Sequence, residues 1–344
     1  MNKKPFFSIM IPVYNVKDYI DECMNSVLNQ TFDDYEVVLI DDGSTDGSGE
    51  ICDRYFSENS EKIVVVHKKN EGLFAARRTG IENARGEFGV FLDSDDYLEL
   101  DCLESIYGLI MSHPDVQMIL YNLTFKYEES GTAATGRLLF QEETAFEYDK
   151  KELYQKLISG YSLNNIVTKA IKLEILKNDP NDYSKYYSNS HGEDLIQSLY
   201  PITVAEKIVY TGKSLYNYRI NAKSMTSEVS FEALKKQNSP NGFYEVMKYM
   251  ELWNITDEES YSRLYAKRYV RLTTNFWKFF AKLNSKSEKL KMISLFKDYY
   301  KELGNTYFLK NKYLSYLRKV TVIFTKCNML TILNIMSVIK DKKK

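Results

Sequence analysis

The chain has 344 residues, 44% of them hydrophobic, enough apolar material for a sizeable core and more than one layer of structure, which excludes a disordered chain. Its net charge of −1 conceals an asymmetry: residues 1–230 carry 23 Lys or Arg against 37 Asp or Glu, whereas residues 231–344 carry 23 against 10. A basic C-terminal third points to an anionic partner, membrane or nucleic acid, or to a solvated basic face. Four cysteines, Cys23, Cys52, Cys102 and Cys327, lack metal-ligand spacing and no signal peptide precedes the first strand. A reducing cytoplasm without disulfides is therefore expected.

Phe6-Phe-Ser-Ile-Met-Ile-Pro12 reads as a strand ending at a proline, with Tyr14 and Asn15 in the loop at its carboxyl end. Ile20, Cys23, Met24, Val27 and Leu28 follow at helical spacing, behind Asp18, Asp21 and Glu22, whose charges suit a helix N-terminus. Tyr35 to Ile40 is a second strand running into the polar loop Asp41-Asp-Gly-Ser-Thr-Asp-Gly-Ser48. Lys62 to Val66 gives a third strand, Gly72 to Ala84 a helix, and Glu87 to Leu92 a fourth strand. This alternation predicts a parallel, doubly wound sheet with right-handed crossovers.

The fourth strand breaks from Phe88-Gly-Val-Phe-Leu92 into three carboxylates, Asp93, Asp95 and Asp96. In open α/β sheets ligands gather beyond the carboxyl ends of the strands, and crowded carboxylates need a positive charge among them. Hard oxygen donors suit Mg²⁺ or Mn²⁺, ions that also take phosphate oxygens, so the run predicts a divalent metal holding a diphosphate. The plainer alternative for Asp96, followed by Glu99 and Asp101, is a helix N-cap. Three strand ends thus bring Tyr14, Asp42 and Asp93 with Asp95 to one edge of one sheet. No Gly-x-Gly-x-x-Gly and no Gly-Lys-Ser/Thr loop is present, so a nucleotide here is held by metal and side chains.

Ile11-Pro-Val-Tyr-Asn15, Val38-Leu-Ile-Asp-Asp-Gly-Ser-Thr-Asp46, Asn70-Glu-Gly-Leu-Phe-Ala-Ala-Arg77 and Phe91-Leu-Asp-Ser-Asp-Asp96 stand in the order of a signature. Together they resemble family 2 glycosyltransferases of the GT-A fold, strongly over residues 6–125 and again at Gly192-Glu-Asp194. The resemblance implies a Rossmann-like mixed, mainly parallel sheet with flanking helices and a helical C-terminal extension. It implies a GT-A catalytic domain over 1–230, its nucleotide-binding half about 1–125 and its acceptor half about 126–230, with the extension over 231–344. By the same resemblance Tyr14 stacks on the nucleobase, Asp42 bonds its imide edge, Asp93 holds ribose and Asp95 holds Mn²⁺ or Mg²⁺. Pro12, Lys69, Arg77 and Arg219 join the nucleotide-sugar site, and Asp194 is the catalytic base of an inverting transfer. Arg78 stands where Asn is common in the family.

The chemistry so implied moves a sugar from a nucleoside diphosphate, uridine by resemblance, to a hydroxyl of a glycan or lipid-linked saccharide in surface-polysaccharide synthesis. Transfer to a polyprenyl phosphate, or a non-catalytic binding subunit, are the other readings; nucleic acid is not expected as a partner. Glu193 and Asp194 also fit a helix N-terminus decorated with acids. His191 could orient an acceptor, and Arg219 with Lys223 could close over the diphosphate. The Tyr-rich run Asp182 to Tyr187 reads as sugar-stacking aromatics or interior packing, and Ser130 to Gly136 as a loop.

Beyond residue 230, Tyr261, Leu264, Tyr265, Tyr269, Leu272, Phe276, Phe279 and Phe280 form one helical stripe, most simply a helix packed on the catalytic domain. Tyr313, Leu317, Val320, Phe324, Cys327 and Leu330 form a second, with Lys312, Lys319 and Lys326 recurring and lysines at 340 and 342–344. The uncharged run Cys327 to Ile339 is too short to span a bilayer. Such a helix lies peripherally on the anionic inner face of the plasma membrane or packs internally with its lysines solvated.

Overall fold

A computed structural model describes residues 4–127, 132–135, 146–160, 163–187, 192–220 and 230–341. His191, Lys223 and Lys342 to Lys344 lie outside the described residues.

The first half alternates strand and helix: β1 (Phe7–Val13), α1 (Ile20–Leu28), β2 (Tyr35–Asp41), α2 (Ser48–Glu58), β3 (Ile63–His67), α3 (Leu73–Asn83) and β4 (Phe88–Phe91). There follow β5 (Tyr97–Leu98), α4 (Cys102–Ser112), β6 (Met118–Tyr127), β7 (Thr132–Thr135), β8 (Phe146–Glu147), α5 (Lys150–Ser159), β9 (Lys169–Lys172), α6 (Leu173–Lys177), α7 (Glu193–Val204) and β10 (Ile208–Ile220). The helix α2 had no counterpart in the sequence reading, and Thr132–Thr135, read as loop, is a strand on the edge of β6.

One mixed sheet runs in the order β3-β2-β1-β4-β9-β6-β10-β5, with β7 on β6 and β8 on β10. β1 is parallel to β2 and β4, and β2 to β3. β9 is antiparallel to both β4 and β6, while β6 and β10 are parallel again. Every residue of β1 and β2 is buried, which explains why their sequences are near-continuous apolar runs instead of alternating ones. Pro12 is tolerated in the central strand because β1 pairs with β4 only over Phe7 to Met10, leaving Pro12 past the end of that ladder.

The chain divides into two compact units, Met1–Leu153 with Tyr161–Ser227, and Tyr154–Gly160 with Glu228–Lys344. The second is helical: α8 (Phe231–Gln237), α9 (Asn241–Leu252), α10 (Glu258–Phe280), α11 (Lys286–Glu302), α12 (Tyr316–Lys326) and α13 (Leu330–Asp341). Asp257 caps α10 by accepting from the Ser260 amide, and a Ser285–Glu288 capping box opens α11. The stripe on α10 is met by its own unit: Tyr265 packs on Phe243 of α9, and Phe276 on Phe296 of α11. The end of α5 joins this unit, with Tyr154 stacked on Trp253 at 4.1 Å and Lys267 donating to the Leu157 carbonyl at 2.9 Å. No helix among the described residues is long and apolar enough to cross a membrane.

Candidate active site

Tyr14 leaves the end of β1 half exposed, at 49%, so its ring offers an open face beside the β2 loop. The two loops are stitched together. Asn15, at φ 53°, accepts from the Thr45 amide at 2.8 Å, and the Lys17 amide donates to Asp46 at 3.1 Å. Asp42, 3% exposed, accepts the amides of Glu71 at 3.1 Å and Gly72 at 2.8 Å, which fixes the start of α3 against the end of β2. Gly43 must be glycine: its φ is +76° and a Cβ would lie 2.9 Å from the Asn70 nitrogen. Of the two adjacent lysines, Lys68 reaches Asp42 at 3.5 Å and Glu71 at 2.5 Å, while Lys69 is exposed.

Behind this loop His67 is held between two carboxylates, Asp41 at 2.9 Å and Asp53 at 2.9 Å. These hydrogen bonds, Asp41 first, raise the His67 pKa above its ordinary 6.5.

The three aspartates after β4 are used differently. Asp96 is 1% exposed and accepts from the Tyr216 hydroxyl at 2.5 Å and the Arg219 amide at 2.7 Å, pinning β10 to the end of β4. Burial, then the charges of Asp95 and Asp93, push its pKa well up. It is not the cap of α4, a position taken by Asp101. Asp95 is half-buried, and its carbonyl accepts from Arg219 Nε at 2.8 Å. The Arg219 guanidinium pairs with Glu22 at 2.6 Å and lies over the rings of Tyr19 and Tyr97, so its direction is set by an aromatic and acidic surround.

Asp93 and Asp194 meet through Arg77. That arginine, on α3 and 1% exposed, bonds Asp93 at 2.7 Å through one terminal nitrogen and Asp194 through the other. Its Nε is buried with no partner among the described residues. Asp194 sits in the first turn of α7 after Gly192, so the helix-terminus reading and the convergence on the sheet edge both hold for it. Burial raises the Asp194 pKa against the opposing charge of Arg77, with Asp93 raising and Lys169 lowering it. Glu193 beside it is raised by burial and by Asp194. Lys169, at the head of β9, is fully buried, donating to the Leu163 carbonyl at 2.9 Å and to that of Asn165. Burial pushes its ammonium down to about 7, while the charge of Asp194 raises it.

A model of the family described as "Glycosyl transferase family 2" matches residues 8–168. Glycosyltransferase GlyG of Streptococcus pneumoniae serotype 4 is 30% identical over 224 residues, which span 63% of this chain and 72% of GlyG. The chain belongs to glycosyl transferase family 2. Glycosyltransferase GlyA of the same organism is 32% identical over 222 residues, 64% of this chain. The family 2 chain spans only 31% of GlyA and 62% of EpsH of Bacillus subtilis. The solved structure of Staphylococcus aureus TarS residues 1–349 in complex with UDP-GlcNAc superposes with a TM-score of 0.66, covering 94% of this chain and 87% of TarS at 20% identity. That likeness fixes the fold as GT-A-like.

The donor set offered to a metal in this family 2 site is small. Asp96 is bound to Tyr216 and the Arg219 amide, and one oxygen of Asp93 is bound to Arg77. Among the described residues no three carboxylate, imidazole or thiol groups converge closely enough to hold an ion by themselves. Asp95 therefore fits Mg²⁺ or Mn²⁺ only together with phosphate oxygens brought by a ligand, the arrangement magnesium favours.

The sequence reading named Tyr14, Asp42, Asp93, Asp95 and Asp194, and the structure brings them to the carboxyl edge of one sheet. It missed Lys169, although a single lysine between the apolar pairs Ile166-Val167 and Ala170-Ile171 was a visible signal. It also missed Tyr216 and His67. Tyr183 and Tyr186 are buried against Phe74 and Ile196, so the Tyr-rich run is interior packing here.

Proposed function

We propose that this chain moves a sugar, with inversion, from a nucleoside-diphosphate sugar, UDP-linked, to a hydroxyl of a glycan acceptor. The observation that carries the reading is the Asp93–Arg77–Asp194 bridge. It couples the carboxylate assigned to the donor with the one assigned as base, at the strand ends where Tyr14, Asp42 and Asp95 also stand.

In this reading residues 1–230 form the catalytic domain and 231–344 the extension. The nucleobase lies on the Tyr14 ring near Pro12 and Asp42, and the ribose lies near Asp93. Arg219 and Lys69 face the diphosphate. Asp95 would hold Mg²⁺ or Mn²⁺ once a donor is bound, and the ion would supply charge neutralisation for the leaving diphosphate. Asp194 takes the proton of the acceptor hydroxyl at a carboxylate oxygen as that hydroxyl attacks the anomeric carbon from the face opposite the leaving group. Arg77 keeps Asp194 oriented and charged for that step, against the burial that opposes its ionisation. The acceptor is a lipid-linked oligosaccharide of capsule or exopolysaccharide synthesis, which places the work on the inner, cytoplasmic face of the plasma membrane.

Screening nucleotide sugars for metal-dependent release of the nucleoside diphosphate tests the reading, with UDP-GlcNAc, the ligand of TarS, as the first to try. Release from one donor that depends on Asp95 supports it. A folded protein that neither binds nor turns over any nucleotide sugar, with or without Mn²⁺, refutes it.

A further inference from the structure

The helix α12 is built inside out. Its buried side chains are Thr321, Val322 and Thr325. Thr321 takes a hydrogen bond from Trp277 Nε1 at 3.1 Å, and Arg318 donates to the Val270 carbonyl at 2.9 Å and to Thr273 at 2.5 Å. Apart from Val322, the apolar side chains face outward: Tyr316 is 83% exposed, Leu317 54% and Ile323 38%, with Val320 and Phe324 half-buried and Cys327 exposed. Residues advance by about 100° along a helix. Tyr316, Val320, Ile323 and Cys327 therefore share one stripe opposite the threonines, bordered by Lys319 and Lys326 on one side and Leu317 and Phe324 on the other. Met329 and, on α13, Ile335 at 56% exposure add to the apolar surface.

Charge selects the partner. Residues 303–344 carry nine Lys or Arg and one acidic residue, Asp341. A second copy would oppose this field with one of the same sign, whereas anionic lipid complements it and takes the apolar stripe as well. We propose that the outward face of α12, continued by α13, lies in the headgroup region of an anionic bilayer. This deepens the reading of a lipid-linked acceptor and rests on it only for the purpose of the contact, which is to hold the catalytic unit where such an acceptor is anchored.

The test is co-sedimentation of the full chain with vesicles of phosphatidylglycerol and phosphatidylcholine, beside vesicles of phosphatidylcholine alone. Binding is expected only with the anionic lipid and is expected to weaken as salt rises. The triple variant Tyr316→Ser, Leu317→Ser, Ile323→Ser changes only exposed side chains of the helical unit. It should keep its melting temperature and diphosphate release while losing about tenfold or more in vesicle partitioning. Cys327 is a built-in reporter, since the other three cysteines are buried: anionic vesicles should slow its alkylation by a charged maleimide. Absent binding by wild type at low salt, equal binding by the variant, or unchanged Cys327 alkylation overturns the proposal. So does a dimer that the triple variant abolishes, because the face is then covered by a second copy. Vesicle binding without diphosphate release from any donor would overturn the functional reading and leave this one standing.

Discussion

A guanidinium at 1% exposure between two carboxylates is stable only while both stay in reach, which makes Arg77 the joint of the site. Arg77→Met leaves Asp93 and Asp194 facing each other across the gap, and breaking a buried pair in this way costs about 3–5 kcal/mol. Chemical denaturation of the variant should show a loss of that order, and Arg77→Lys should rescue only part of it, because an ammonium lacks the planar fork that reaches both acids. Wild-type stability in Arg77→Met would show that the bridge does not support the fold. Asp95 is the second test at this scale. Asp95→Asn removes one formal charge at nearly constant size, so calorimetric titration should show weaker donor binding in Mn²⁺ than wild type. Equal donor affinity in wild type with and without Mn²⁺ would dismiss the metal role.

At the scale of elements, the edge depends on how β2, β3 and α2 are clasped. His67 on β3 bonds Asp41 at the end of β2 and Asp53 on α2, directly behind the loop that carries Asp42. Although burial raises Asp41, hydrogen bonds from His67 and Ser44 hold it below the ordinary carboxylate value. Because the folded His67 pKa is raised, its contribution to stability is complete below 6.5 and is lost as pH rises through the folded value. Melting temperatures of wild type and His67→Gln should therefore differ most below pH 6.5 and converge above it. A difference that does not change with pH would contradict the clasp. The sequence showed β3 clearly, as a Val run, but gave no sign that its last residue faces two acids. Those partners lie 26 and 14 residues away and meet only when β2 and β3 pair.

Across the whole molecule, legibility followed the physics of burial. β1, β2 and β4 were readable because interior parallel strands are apolar runs that stop abruptly at polar loops, so the strand ends announced the site. Residues 126–230 were harder to read, since β9 inserts antiparallel between β4 and β6 and begins 78 residues after the end of β4. No local pattern announces such an insertion, and Lys169 went unseen with it. In α12 the periodicity was real, but of its two readings, a face on a membrane or a face packed inward, the sequence could not choose; Trp277 of α10 donates to Thr321, and Arg318 reaches back to Val270 and Thr273 of α10, which turns the threonine side inward. Its direction depends on partners up to 48 residues away.

The central claim is that this edge performs a base-assisted sugar transfer with Asp194 as the base, and one comparison on the full chain tests it most directly. Diphosphate release from the preferred donor is measured for wild type and Asp194→Asn, with donor affinity measured alongside. The account predicts a fall in turnover of about 10²–10⁴ with donor affinity nearly unchanged. Wild-type turnover in folded Asp194→Asn would contradict it and leave Asp194 as an acid decorating the start of α7.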